Sequence, residues 1–389
     1  MDHGTNQILF ALLRSAVCGE PLSGAERALF SEAQLPALLE TAKKHDMIHL
    51  LALGLKRNAL ALEKQTEIGR NILLAVYRQE QQSAELETLC RILEADGIPF
   101  LPLKGAVLRG YYPEAWMRTS CDLDILVKEQ DAERAAAVLV SAGFVRGGKG
   151  THDISLFAPN KTHVELHYKL VEDDLANSAA QVLEHVWEAA CVRENCNCWH
   201  EMPDEVFYFY HVAHMAKHFE QGGCGIRPLM DLWILDGLPD VDSDRRDVLL
   251  AQGDLLKFAQ VARRLSGIWF GGAEHVELTK QMEEYILNGG VYGSSENGIT
   301  LQQQKKGGRL KYLWSRIFMP YEKIKYRYPI LQKCRWLTPI MEVRRWFRLI
   351  FLGRVRRRVT REIQYNGSIS SEEAVAMQTF LNDIGLQSK

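Results

Sequence analysis

The chain has 389 residues, of which 47% are hydrophobic and 25% charged, with a formal net charge of −2. These are values of an ordinary globular protein with two or three units and a sizeable core. No basic-plus-apolar leader and no run of about 18 apolar residues is present, so a spanning helix is excluded and a cytoplasmic location is expected.

The eight cysteines are scattered and are expected as reduced thiols rather than a disulfide frame. The small net charge hides a polarity. Residues 301–361 hold 18 Lys or Arg against the two acids Glu322 and Glu342, a local charge of +16 that leaves −18 for the rest.

Residues 1–95 are expected as an N-terminal helical region. Apolar residues recur at helical spacing around Ile8 to Val17 and Leu35 to Ala42, then along Ile68 to Ala95, with a stop at Asp96-Gly97. Residues 96–175 form the core of interest. The apolar run Phe100 to Leu103 leads into Lys104-Gly105-Ala106, a strand-to-helix turn where backbone N–H groups and the lysine can hold phosphate. Asp122 and Asp124 flank Leu123 and run into Ile125, Leu126 and Val127, a pattern of strand type. Side chains two apart on a strand share a face, so the two carboxylates project together from a segment built for burial. Their repulsion and desolvation are relieved by a divalent cation, and hard oxygen ligands suit Mg²⁺ or Mn²⁺. Arg118, four residues earlier, can reach a triphosphate, fix the acids by a bidentate contact, or form a plain ion pair.

A helix is expected over Asp131 to Ala142, ended by Gly143, then a hairpin of His152 to Ala158 and His163 to Leu170 turning at Pro159-Asn160-Lys161. The second hairpin strand carries Glu165 in the alternating HVELH segment, a third acid able to join the first two if the strands are neighbours. His167 shares the face of Glu165 and suits a hydrogen bond to a ligand or assistance in proton removal.

Residues 176–300 are expected as a helical domain. Pro203-Asp204-Glu205 signals a helix start, and His211, His214, Lys217 and His218 follow at spacings of three and four. Such a face suits phosphate or a polar acceptor, or packing on neighbouring elements. Arg227-Pro228 opens a further helix with Asp231, and Ser294 to Lys306 reads as a polar linker. Residues 301–389 form a basic tail that interleaves aromatic residues, with the amphipathic segment 340–359 and a capped terminal helix over Ser370 to Leu386. Nucleic acid, an anionic membrane surface at the inner face of the cell membrane, and the acidic body of the protein all suit its charge.

Taken together, Gly105-Ala106, the Asp122-Leu123-Asp124-Ile125 strand and the later Val164-Glu165-Leu166 strand resemble the DNA polymerase beta-type nucleotidyltransferase superfamily. Leu103-Lys104-Gly105, Arg118, Asp122 to Val127, Val164 to His167, His211-x-x-His214-x-x-Lys217-His218, Gly225-Ile226-Arg227 and Asp231-Leu232 resemble its bacterial uncharacterised nucleotidyltransferase branch, over roughly residues 35–300. One departure is Ala106, where superfamily members carry Gly-Ser or Gly-Gly. The resemblance implies an α+β fold with a small mixed sheet between N-terminal and C-terminal helical domains. It implies transfer of a nucleoside monophosphate from an NTP, taken as ATP, to an acceptor that nothing in the chain identifies. It also implies metal ligation by Asp122, Asp124 and Glu165, nucleotide contacts from Lys104, Gly105, Ala106 and Arg118, and an anchoring role for Asp231. A nucleotide-binding module without catalysis and a scaffold acting through the basic tail are the competing readings.

Overall fold

The computed structural model describes residues 2–170, 178–328, 330–351 and 353–386. The expected boundary between residues 175 and 176 lies outside the described residues, as does Leu352 of the amphipathic segment. The architecture is α+β: one small mixed sheet set among helices.

The sheet has five strands, β1 (Phe100–Pro102), β2 (Asp122–Val127), β3 (Val145–Lys149), β4 (Asp153–Phe157) and β5 (His163–His167), in the order β1-β2-β5-β4-β3. The β2–β5 pair is parallel and the others are antiparallel. Strand alternation divides the chemistry between the two faces of the sheet. Leu123, Ile125 and Val127 of β2 and Val164 and Leu166 of β5 point to one face. They are buried there with Leu89 and Leu93 of the long helix Gln65–Ala95 and with Ala135 and Leu139 of the helix Ala132–Ser141. Each such aliphatic side chain contributes about 1.5–3 kcal/mol by leaving water. That packing fixes the register, and the register sends Asp122, Asp124, His163, Glu165 and His167 to the opposite face.

The opposite face looks onto a helical mass. Helices from both ends of the chain, including His3–Cys18, Ile48–Arg57, Asp204–Gln221, Arg227–Asp236 and Leu256–Gly271, share one continuous hydrophobic core. The long helix ends at Asp96, with Gly97 at φ 65°, and the helix Ala132–Ser141 is followed by Gly143 at φ 100°, left-handed positions that glycine takes without strain.

Two elements depart from expectation. β3 carries the sequence VRGGK, wholly exposed at the sheet edge with a register shift against β4, so it has no buried face to announce it. Residues 295–305, read as part of a polar linker, form a helix instead. Ser294 accepts the amides of Glu296 and Asn297 as its N-cap, and Gly298, Thr300 and Leu301 are buried. Gly298 approaches the Gln221 carbonyl so closely that a Cβ would lie 2.7 Å from it. The helix is seated by small residues rather than an apolar stripe.

Candidate active site

The loop entering β2 is tied from every side. His49 Nε2 lies 2.9 Å from the Met117 carbonyl, and Thr119 Oγ1 donates to Asp46 at 2.9 Å. Gln82, on the long helix, donates to the Ser120 carbonyl at 3.0 Å and accepts from Arg109 and from the Ser120 hydroxyl. Arg227 donates to the Thr119 carbonyl at 2.9 Å and pairs with Asp46. Three helical elements thus hold the segment that delivers Asp122 and Asp124.

The acids meet across the parallel pair. Asp124 is opposite Glu165, and Asp122 is opposite His163. Ligand atoms of Asp124, Glu165 and His167 lie within 4.8 Å of one another, and so do those of Asp122, His163 and Glu165. Two overlapping donor sets of carboxylate oxygen and imidazole nitrogen share Glu165. That chemistry fits divalent cations, and the carboxylate majority favours the harder ones.

Lys104 enters from the end of β1. The Leu103 amide donates to the Asp124 carbonyl at 2.9 Å, which continues the β1–β2 ladder by one residue and puts Lys104 beside Asp124. The backbone then turns sharply. Lys104 has φ 43°, ψ −117°, an unfavourable conformation for a residue with a Cβ. Its Nζ lies 2.9 Å from Asp124 Oδ1. His167 Nε2 sits 2.8 Å from the same oxygen and 3.4 Å from Glu165 Oε2. Burial pushes the Asp124 carboxyl up, but Lys104 and His167 outweigh it and hold the group well below the carboxylate range. Burial and the neighbouring Asp124 charge raise Asp122. Burial would depress His167, and its hydrogen bonds to Asp124 and Glu165 reverse the sign and raise it. The His167 bond in turn lowers Glu165.

These groups line one open cavity of about 330 Å³, together with Gly105, Arg118, His211, His214, Lys217 and His218. Gly105 is packed tightly on its neighbour: a Cβ there would lie 3.0 Å from Ser120 Cβ and 3.1 Å from its Oγ. Ala106 is outside this lining, and its amide is donated to the Leu103 carbonyl at 3.1 Å. Asp231 also stands outside it, wholly buried. It accepts from Arg118 Nε at 2.8 Å and Nη2 at 3.0 Å, and from the Tyr112 hydroxyl at 2.7 Å. Arg118 Nη1 donates to the Thr119 carbonyl. All three guanidinium nitrogens are therefore engaged in internal bonds. The arginine ties the β2 loop to the helix Arg227–Asp236.

The histidine face is less charged than its residues suggest. His211 Nε2 is 3.1 Å from the Pro228 carbonyl, and His214 and His218 join through their Nε2 atoms at 3.0 Å. Burial lowers all three, most strongly His214; for His218, with Lys217 and Lys104 adding to the effect, the value is about 4. Burial thus favours the neutral, hydrogen-bonding form of all three. Sequence reasoning passed over one further residue. His163, two before Glu165 on the same strand face, is held by Ser155 Oγ at 2.7 Å and is found by the same i, i+2 rule that found His167. His45 is fully buried on the cavity wall, where burial holds it near 4.

The family model described as uncharacterised nucleotidyltransferase matches residues 31–271, a span that contains every residue of this cavity up to Pro228. No curated protein and no solved structure matches the chain. With well over half of its length matched by that model, the chain belongs to the uncharacterised nucleotidyltransferase family.

Proposed function

We propose that the chain transfers a nucleoside monophosphate from an NTP, with ATP the expected donor, to an acceptor hydroxyl and releases pyrophosphate. The observation that carries this reading is the parallel register of β2 and β5, which sets Asp124 against Glu165 with Asp122 on the same face. In this reading Asp122, Asp124 and Glu165 bind Mg²⁺ or Mn²⁺. When bound, the cations neutralise the triphosphate and make the acceptor oxygen a better nucleophile.

The remaining roles belong to the chain itself. Lys104 neutralises Asp124 through its 2.9 Å contact, and its ammonium on the cavity wall would be within reach of the β- and γ-phosphates. The Gly105 turn lets the nucleotide approach the backbone closely. His167 orients Asp124 and Glu165 through its two hydrogen bonds, and Glu165 is the group available to take the acceptor proton. The neutral His214–His218 pair, with Lys217 beside it, suits a polar acceptor better than a second phosphate cluster. Arg118 and Asp231 position the loop and are not assigned to the reaction. A cytoplasmic setting supplies the NTP, and the basic segment 301–361 is the contact region for an anionic partner.

The test is transfer of label from α-phosphate-labelled NTP to candidate acceptors, with pyrophosphate followed in parallel. Release of pyrophosphate that needs a divalent cation and disappears in Asp124→Asn is the expected result. Pyrophosphate release retained in Asp124→Asn would refute the assignment.

A further inference from the structure

The helix Thr338–Phe351 is buried on one side and bare on the other. Glu342 and Arg345 are buried, joined at 2.7 Å, and Arg345 also donates to the carbonyls of Arg316 and Ile317. Opposite them, Ile340, Val343, Phe347 and Phe351 are exposed by 43–73%. At about 100° per residue these four positions fall in a single stripe about 80° wide. Trp336, 73% exposed in the preceding turn, extends the row. The neighbouring helix Arg309–Ile317 adds Leu310, Trp314 and Ile317 to the exposed apolar side chains. Its aromatic end is continuous with the first helix, because Phe318 lies 4.9 Å from Trp314 and 5.4 Å from Trp346. Exposed Arg344 and Arg348 border the row.

We propose that this face docks on an anionic lipid bilayer. The apolar row would lie at the boundary of headgroups and acyl chains, with the arginines on lipid phosphates. The charge of +16 over residues 301–361 supplies the attraction. Nucleic acid would use the same charge, but Ile340, Val343, Leu310 and Ile317 offer it no hydrogen bond and no stacking plane. Phe347 and Phe351 stack on each other, 5.7 Å apart with rings 8° from parallel, rather than standing open for bases. A second copy on this face would bring two segments of +16 together. The acidic body does not cover the row, whose side chains stay exposed: among the described residues, Arg316, Lys325 and Arg345 pair with Glu362, Glu322 and Glu342 of the same region, and the contact of Lys305 with Glu220 of the body lies in the helix Ser295–Lys305, away from the row.

The experiment is flotation of the full chain with vesicles of phosphatidylcholine alone or mixed with phosphatidylglycerol, at low and high salt. Single-stranded RNA is tested in parallel. The chain should float with the mixed vesicles at low salt and not with phosphatidylcholine alone. Phe347→Ser with Phe351→Ser should reduce partition at least about tenfold. Brominated lipid should quench tryptophan fluorescence of the unaltered chain, a readout independent of any variant. Absence of flotation, flotation undiminished by the double substitution, absence of quenching, or RNA binding in place of vesicle binding would each overturn the proposal.

Discussion

Lys104 joins an unfavourable backbone conformation and a charge at the active-site cavity. Its φ of 43° costs on the order of 1–3 kcal/mol for a residue with a Cβ, and its ammonium offsets the buried Asp124 charge. These two effects separate by substitution. Lys104→Met keeps the strain and strips Asp124 of its cation, and is expected to lose about 3 kcal/mol of stability. Lys104→Gly loses the same cation but relieves the turn, so it should be the more stable of the two by about 1 kcal/mol in urea unfolding. The reverse order would show that the strain is not real. Both variants should be severely impaired in turnover if the ammonium serves the phosphates. His163, His167 and Glu165 illustrate what single residues reveal in sequence: one rule of alternation predicts all three on a common face. The partner of Arg118 was not legible, because Asp231 lies 113 residues away and only the folded chain brings them together.

At the scale of elements, the site depends on how the loop 117–121 is clamped between helices. Asp231 is the buried centre of that clamp, with Arg118 and Tyr112 on it. Asp231→Asn leaves an uncompensated guanidinium inside the protein and should cost about 3 kcal/mol, whereas Tyr112→Phe should cost about 1 kcal/mol. Denaturant unfolding of the two variants checks the ranking, and equal costs would contradict the ion-pair account. Gly105→Ala should lose about 1 kcal/mol or more by crowding Ser120, whose hydroxyl is held by Arg109 and Gln82. Unchanged stability in urea unfolding would show that Ser120 yields to the added methyl. The elements that could be read from sequence were those with a strong period. β2 and the β4–β5 hairpin show alternation, and the helices Gln65–Ala95 and Ala132–Ser141 have an apolar stripe and a glycine stop. β3 and the helix Ser295–Lys305 escaped notice because an exposed edge and a seam of small residues carry no such period.

Across the whole molecule, buried histidines set the response to acid. Burial lowers His45, His49, His211, His214 and His218, with His45, His49 and His218 reaching about 4, while His167 alone of these is raised. A histidine lowered on folding lets the unfolded chain bind protons first, so stability is lost as pH falls from about 6.5 toward 4. His167 acts in the opposite sense, since its contribution is full below about 6.5 and fades as pH rises through its raised value. Five groups against one predict a melting temperature that drops between pH 7 and pH 5, and a flat profile would contradict the burial of these side chains. Whether the acids of β2 and β5 hold a metal-bound nucleotide is measured by titration calorimetry with a non-hydrolysable ATP analogue. Binding should require Mg²⁺ or Mn²⁺ and weaken at least about 100-fold in Asp122→Asn/Asp124→Asn, because the ligand set acts as a unit. Equal binding in EDTA, or full affinity in the double variant, would contradict a metal-dependent nucleotide site on β2 and β5.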